Sequence, residues 1–230
     1  MLTIDSLVKS VKERGIKTTF GDLAYRAAKK VTDVRVLAAM SLMPEHIDRS
    51  FLTAEPDLQW GFLDGETLQR ALSHVSDSDM DQTFVRSAIG GGDRCYGALD
   101  GDILASYGWY ATKPTEVTEG LELRFSDQWA YMYKGYTPKA YRGRRLHGIG
   151  MARAMMAFVD EGYKGLVSYV DAANEASLKS CARLGYQTFG TLMAAQVRSS
   201  WLTHATRGCE PYQIQLAATR SAPTTMANAA

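Results

Sequence analysis

The residues best suited to chemistry lie between Lys134 and Arg153. Six basic side chains (Lys134, Lys139, Arg142, Arg144, Arg145 and Arg153) fall in this stretch with no acidic one. The segment runs Lys134-Gly135-Tyr136-Thr137-Pro138-Lys139-Ala140-Tyr141-Arg142-Gly143-Arg144-Arg145-Leu146-His147-Gly148-Ile149-Gly150. It reads as a strand, a basic loop with a glycine, and the start of a helix. Amides at a helix N-terminus, helped by the helix dipole, form a ready anion site. Such a loop suits a pyrophosphate; a solvated basic turn is the plain alternative. The patterns G-x-x-x-x-G-K-[ST] and G-x-G-x-x-G do not occur in it, so the loop is neither a Walker loop nor a dinucleotide fingerprint.

The elements that must position this loop can be read from the surrounding pattern. A strand over Gln128–Thr137, a helix over Leu146–Glu161, a strand over Gly165–Val170 and a helix over Asn174–Leu184 alternate. Upstream, the pattern predicts a strand over Leu58–Leu63 and helices near 65–75 and 79–88. A hairpin follows, Arg94–Leu99 and Ile103–Trp109, around the turn pair Asp100-Gly101. Gly90-Gly91-Gly92 could cradle a phosphate, but three glycines before a strand are more often a loop. A strand is expected over Val117–Phe125, and strands near 186–198 and 211–217 should close the sheet. Residues 34–42 are apolar enough to be buried but ambiguous between strand and helix.

The first thirty residues read as two amphipathic helices with seven basic residues against three acidic ones. A basic amphipathic segment can touch an anionic membrane, whereas a solvated helix face is the commoner reading. The tail, Ser221–Ala230, is small and polar and is expected to be disordered. The expected division is therefore an N-terminal helical extension and connector over 1–57, a main domain over 58–220, and a tail over 221–230.

Across strand, loop and second helix the chain resembles the GNAT superfamily of acyl-CoA N-acyltransferases. The family pattern is a strand, then P-x-Y-R-G-x-G-x-G, a helix, a strand, and N-x-x-(A/S)-(I/L) leading to L-G-(F/Y). The second half stands here as Asn174-Glu175-Ala176-Ser177-Leu178, then Arg183-Leu184-Gly185-Tyr186. The resemblance covers about 58–192. The loop can be registered in two ways. Arg145-Leu146-His147-Gly148-Ile149-Gly150 fits R-x-x-G-x-G literally; Tyr141-Arg142-Gly143-Arg144-Arg145-Leu146-His147 fits Y-R-G-x-G-x-G with Arg145 and His147 replacing glycines. Gly162 lies fifteen residues after His147 but twelve after Gly150. The family's usual helix length is matched by the first of these counts, which favours the second register.

The resemblance implies an α/β GNAT fold, with a mixed, mostly antiparallel central sheet flanked by helices. It implies an N-acyltransferase taking acetyl-CoA, or another acyl-CoA, as co-substrate. The acceptor would be a small-molecule amine or amino sugar. A long-chain acyl-CoA or an acyl carrier protein as donor, and a catalytically silent acyl-CoA-binding module, are the alternatives. Gly135, Tyr136 and Thr137 would offer backbone groups to the pantetheine arm where two parallel strands splay. Arg142, Gly143, Arg144, Arg145, Leu146, His147 and Gly148 would form the pyrophosphate loop, Arg144 and Arg145 mattering less if they point to solvent. Asn174 would stand near the thiol end, while also being an ordinary helix cap, and Ser177 would contact the co-substrate.

Many family members carry a glutamate on the strand before the loop, and counting eight back from Pro138 gives Ala130. Asp127 and Glu122 are the nearest carboxylates and stand as candidate bases. The family's proton-donating tyrosine, seven residues after its asparagine, falls on Cys181. Tyr107, Trp109, Tyr131 and Tyr133 could line an acceptor groove, though aromatic strand residues are usually core.

Composition bounds the rest. The chain has 230 residues, 46% hydrophobic and 22% charged, with 26 basic and 25 acidic side chains for a net charge of +1. That balance gives no global case for a nucleic-acid partner. Cys95, Cys181 and Cys209 are too scattered for a disulfide framework or a zinc site, so no metal is expected. With no secretory signal and no long apolar run, a cytoplasmic location is expected. A homodimer is compatible with the sequence.

Overall fold

The apolar run Val34–Leu42 is strand β1, and its surroundings explain why its pattern is hard to read. Strands covered on both faces lose the apolar–polar alternation and become continuous apolar runs. Leu37 and Ala39 face one cluster of the core while Met40 and Leu42 face another. The computed structural model describes residues 33–52, 57–72, 80–198 and 200–219. The helices expected before residue 31 and the tail after 220 lie outside the described residues.

The remaining strands are β2 (Gln59–Leu63), β3 (Arg94–Asp100), β4 (Ile103–Ala111), β5 (Thr115–Thr118), β6 (Leu121–Arg124), β7 (Ala130–Tyr136), β8 (Leu166–Asp171), β9 (Gln187–Val197), β10 (Ser200–Ala205) and β11 (Gln215–Ala218). The helices are α1 (Gly65–Leu72), α2 (Gln82–Gly91), α3 (Leu146–Asp160) and α4 (Glu175–Leu184). Eight strands form one sheet in the order β10-β9-β1-β8-β7-β4-β3-β2, and β11-β6-β5 form a second, three-stranded sheet. In the large sheet β7 and β8 run parallel and every other neighbouring pair is antiparallel.

Several sequence expectations shift. The sheet begins at Val34, so the boundary expected at residue 57 falls inside it: β1 lies between β8 and β9. The hairpin turn is Gly101-Asp102, one residue later than expected, because Asp100 pairs with Ile103. The strand expected over Val117–Phe125 is two, β5 and β6, divided at Glu119-Gly120. The strand expected near 211–217 joins the small sheet instead of closing the large one, and β10 was not anticipated.

The large sheet carries different layers on its two faces. On one, α3 buries Ile149, Met151, Ala152, Met155 and Phe158 against Met40, Leu42, Tyr110, Ala130 and Leu166. Each large side chain so buried stabilises the fold by ~1.5–3 kcal/mol relative to exposure. On the other face α1 and α2 pack against Cys95, Leu104, Tyr107 and Trp109. Beside them the small sheet packs Leu121, Leu123 and Leu216 against Val167, Leu192 and Trp201. Helix α4 ends at Gly185, whose φ of 116° and close approach to the His46 carbonyl (2.1 Å from a would-be Cβ) exclude any side chain. This contact, with the Asp48 amide bonded to the Leu184 carbonyl at 3.1 Å, ties the segment after β1 to the end of α4. No helix among the described residues is long and apolar enough to cross a membrane.

Candidate functional site

The site begins where the parallel pair comes apart. Pairing of β7 with β8 is confined to Ala130–Leu166 and Tyr131–Val167. On its other edge β7 pairs Met132 with Tyr110 and Lys134 with Trp109, leaving Tyr133 as the extra, bulged residue. A bulge bends its strand and increases the local twist, and here it turns the second half of β7 away from β8. The Ser168 hydroxyl donates to the Met132 carbonyl at 2.8 Å, satisfying a group left at the apex of the split. Beyond that point the strands flank a wedge.

The loop stands at the open end of the wedge. After Thr137-Pro138 it makes one 3-10 turn, Lys139–Tyr141, and passes through extended Arg142. Gly143, at φ 83° with open space around it, bends the chain toward the helix. Arg145 is left-handed at φ 62° and precedes Leu146, the first residue of α3; no side chain caps this terminus. The ladder starts with the Ile149 amide on the Arg145 carbonyl at 3.0 Å, so the first-turn amides of α3 face the loop without intrahelical partners. Gly148 and Gly150 are already inside the helix, whereas Arg145 holds the backbone conformation that glycine takes most easily. This geometry agrees with the register in which Arg145 replaces a glycine.

Each arginine of the loop has a distinct setting. Arg142 donates from Nε to the Thr137 carbonyl at 3.0 Å, bracing the loop. Arg145 is not simply turned to solvent: its guanidinium lies 3.7 Å over the Phe51 ring and donates to the Ser50 hydroxyl at 2.8 Å. Asp48 stands 3.9 Å away, an exposed pair of little energetic weight. Arg144 lies exposed over Tyr141, whose hydroxyl donates to Asp100 at 2.8 Å. A pocket of about 410 Å³ opens here, lined by Phe51, Arg142, Gly143, His147, Gly148 and Arg183 among others.

The His147 ring, which also borders the loop pocket, turns toward β7. A Cβ on Gly135 would lie 2.1 Å from that ring, so the glycine is what lets β7 and α3 close. Burial pushes the His147 pKa below its ordinary value of 6.5, against a hydrogen bond with the Tyr107 backbone. The ring is accordingly neutral near pH 7. Tyr136 packs on the opposite face against Tyr107, and Thr137 shares a 2.9 Å hydrogen bond with Ser106.

Asn174 caps α4, accepting from the Ser177 amide at 3.1 Å, just beyond the end of β8. Cys181 is half-buried against the α3 core cluster, and burial pushes its thiol pKa up, away from easy ionisation. The candidate bases are not brought together with the wedge. Glu122 is ion-paired with Arg124 on the small sheet. Asp127 is exposed in the turn before β7, at the end of the strand opposite the loop. Tyr107, Trp109 and Tyr131 are core residues, no more than 2% exposed, while Tyr133 is only half-buried. No group of three or more His, Cys, Asp or Glu among the described residues is arranged to hold a metal ion.

Sequence reasoning missed Ser50, Phe51 and Arg183, which reach the loop from distant segments. It also missed Asp93, which accepts a 2.8 Å hydrogen bond from the Tyr133 hydroxyl. A lone aspartate after three glycines carries no motif, and only the fold reveals its partner.

This architecture is the GNAT fold: a mixed, mostly antiparallel sheet whose one parallel pair splays beside the N-terminus of a long helix. A GCN5-related N-acetyltransferase-like protein from Streptococcus suis superposes with a TM-score of 0.50 at 15% identity, covering 85% of this chain and 74% of its own. A tandem GNAT protein from the clavulanic acid biosynthesis pathway gives 0.47 at 13% identity over 81% of this chain. A GNAT-family acetyltransferase described as putative, from Novosphingobium aromaticivorans, gives 0.45 at 16% over 71%. The chain spans 58% and 63% of the length of these last two. No protein-family model matches the chain, and no curated protein matches its sequence.

Proposed function

We propose that the protein is an acyl-CoA-dependent N-acyltransferase that moves an acetyl group from acetyl-CoA to a small-molecule amine or amino sugar. The observation that carries this reading is the wedge between β7 and β8 with the basic loop and the uncapped start of α3 at its open end. Unpaired strand edges can satisfy the amides of a pantetheine arm. The first-turn amides of α3, with Arg142, suit a pyrophosphate. The residues fit such a co-substrate: Gly143 leaves its approach open, and the pocket beyond it is lined by arginines. When bound, the thioester supplies an acyl carbon open to attack by an amine.

One observation favours a second reading, a silent acyl-CoA-binding module: Ala130 and Cys181 occupy the positions of the family's glutamate and tyrosine. Thermal-shift measurement with acetyl-CoA, a long-chain acyl-CoA and free CoA tests what both readings share. A ligand at 100 times its Kd adds about 2.7 kcal/mol to stability. No shift with any of the three at saturation overturns both. A larger shift with the long-chain donor than with acetyl-CoA replaces acetyl with a longer acyl group.

A further inference from the structure

We infer that Tyr133 and Asp93 form the proton-accepting pair for the acceptor amine, Tyr133 touching the amine and Asp93 acting through it. The inference rests on the acyltransfer reading above and supplies the base that Ala130 cannot. Tyr133 is the bulged residue of β7, two positions beyond the last β7–β8 pair, and so stands at the mouth of the wedge. Its side chain is on the face opposite His147, at the seam where the α1–α2 layer meets the small sheet, and packs on both clusters. The α3 face of the wedge is closed by His147 against Gly135. An acceptor therefore approaches from the Tyr133 side.

The pair has the polarity this task needs. The Tyr133 hydroxyl donates to Asp93 at 2.8 Å, which leaves the lone pairs of its oxygen to accept. Asp93 follows the end of α2 and is half-buried, and burial raises its pKa against the opposing effects of Tyr133 and Lys113. Among the described residues, Lys113, on the connection between β4 and β5, and Tyr133 itself are the charged or titratable groups acting on Asp93; Cys95 lies beside Tyr133. Burial and the Asp93 charge push the Tyr133 phenol far up, so it cannot ionise alone. It must gain one proton as it gives up another.

The step balances as follows. The amine nitrogen forms a bond to the acyl carbon, and the carbon–sulfur bond breaks with its electron pair on sulfur. An acceptor arriving as an ammonium ion gives its first proton, before attack, to the Tyr133 oxygen as the phenolic proton passes to Asp93; the proton its nitrogen sheds after bonding to carbon goes to solvent. The CoA thiolate takes a proton from solvent, and Asp93 returns its own to solvent before the next turnover.

Tyr133→Phe and Asp93→Asn test this with acetyl-CoA and two nucleophiles, methylamine, which is almost wholly protonated at neutral pH, and hydroxylamine, which is mostly not. Acetyl-CoA affinity, measured by calorimetry, should be unchanged in both variants. Transfer to methylamine should fall about a hundredfold in each, the lower end of a general-base contribution. Transfer to hydroxylamine should change less than about threefold, since it needs little proton removal. With methylamine the wild-type rate should level off above an acid limb set by Asp93, whereas Asp93→Asn should lose that plateau and rise with pH in proportion to the free amine, a readout that a packing role would not move. Equal losses with both nucleophiles, or no loss with either, overturn the inference. So does wild-type protein that binds acetyl-CoA yet transfers to neither nucleophile. Wild-type protein that binds no CoA species overturns the acyltransfer reading instead.

Discussion

Arg145 offers a measurement in which backbone and side chain separate. A left-handed conformation costs a residue with a Cβ roughly 1–2 kcal/mol, and Arg145 bears it at φ 62°. Replacing it by alanine keeps that strain. It removes the stack on Phe51, about 0.5–1 kcal/mol at an exposed site, and the Ser50 hydrogen bond, about 0.5–1.5 kcal/mol. Arg145→Ala should therefore lose about 1–2.5 kcal/mol of stability. Glycine loses the same contacts but sheds the strain. Its more flexible unfolded chain takes back about 0.4–1 kcal/mol. Arg145→Gly should then be more stable than Arg145→Ala by ~0.5–1 kcal/mol, although glycine is the smaller and floppier residue. Urea unfolding of both variants, compared at a common m-value, reads this difference. Because Ser50 and Phe51 already hold the Arg145 guanidinium, both variants should bind acetyl-CoA within about tenfold of wild type. An alanine variant as stable as the glycine variant, or more so, refutes the claim that the loop is strained at 145.

Other substitutions test the neighbouring parts. Arg142→Ala removes the brace on Thr137 and a charged donor beside the α3 terminus, and should weaken CoA binding by about 1.5–3 kcal/mol in calorimetry. An affinity unchanged in Arg142→Ala but lost in Arg145→Ala would favour the literal R-x-x-G-x-G register. Cys181→Ala should keep turnover within about tenfold, a barrier change near ~1.4 kcal/mol, because the thiol is held protonated by burial and packs against core. A thousandfold loss at unchanged affinity would give Cys181 the tyrosine's role. His147 has a folded-state pKa below its unfolded 6.5. As pH falls below 6.5 the unfolded chain takes the proton first, so His147 costs stability there until its folded pKa is reached. His147→Gln should flatten the fall of unfolding free energy between neutral and mildly acid pH; an unchanged slope contradicts a buried neutral ring.

What could be read from the residues follows the range of the interactions involved. The loop, α3, β8 and α4 are local: capping by Asn174, a glycine after Leu184 and a basic strand-to-helix turn announce themselves within a few positions. Strand β1 did not, because its neighbours β8 and β9 come from more than a hundred residues away and cover both its faces. The turn at Glu119-Gly120 was hidden because β5 and β6 are each four residues long, too short for alternation to register. In the candidate site, Arg142, Gly143 and Asn174 were legible from motif spacing. The support of Arg145 by Ser50 and Phe51, and of Tyr133 by Asp93, was not, since each joins residues at least 40 positions apart. Asp127 and Glu122 are near the loop only along the chain, which is a poor guide where a strand carries its residues ~3.3 Å apart in a straight line.

The central claim is that an acyl-CoA lies in the β7–β8 wedge with its diphosphate on the first turn of α3. Amide hydrogen exchange, recorded with and without saturating acetyl-CoA, tests it most directly. Slowed exchange should appear together in the second half of β7, from Tyr133 to Thr137, and at the helix start, from Gly143 to Ile149, with the small sheet β5-β6-β11 unaffected. Protection confined to any other region, or none at either segment while acetyl-CoA is bound, would contradict it.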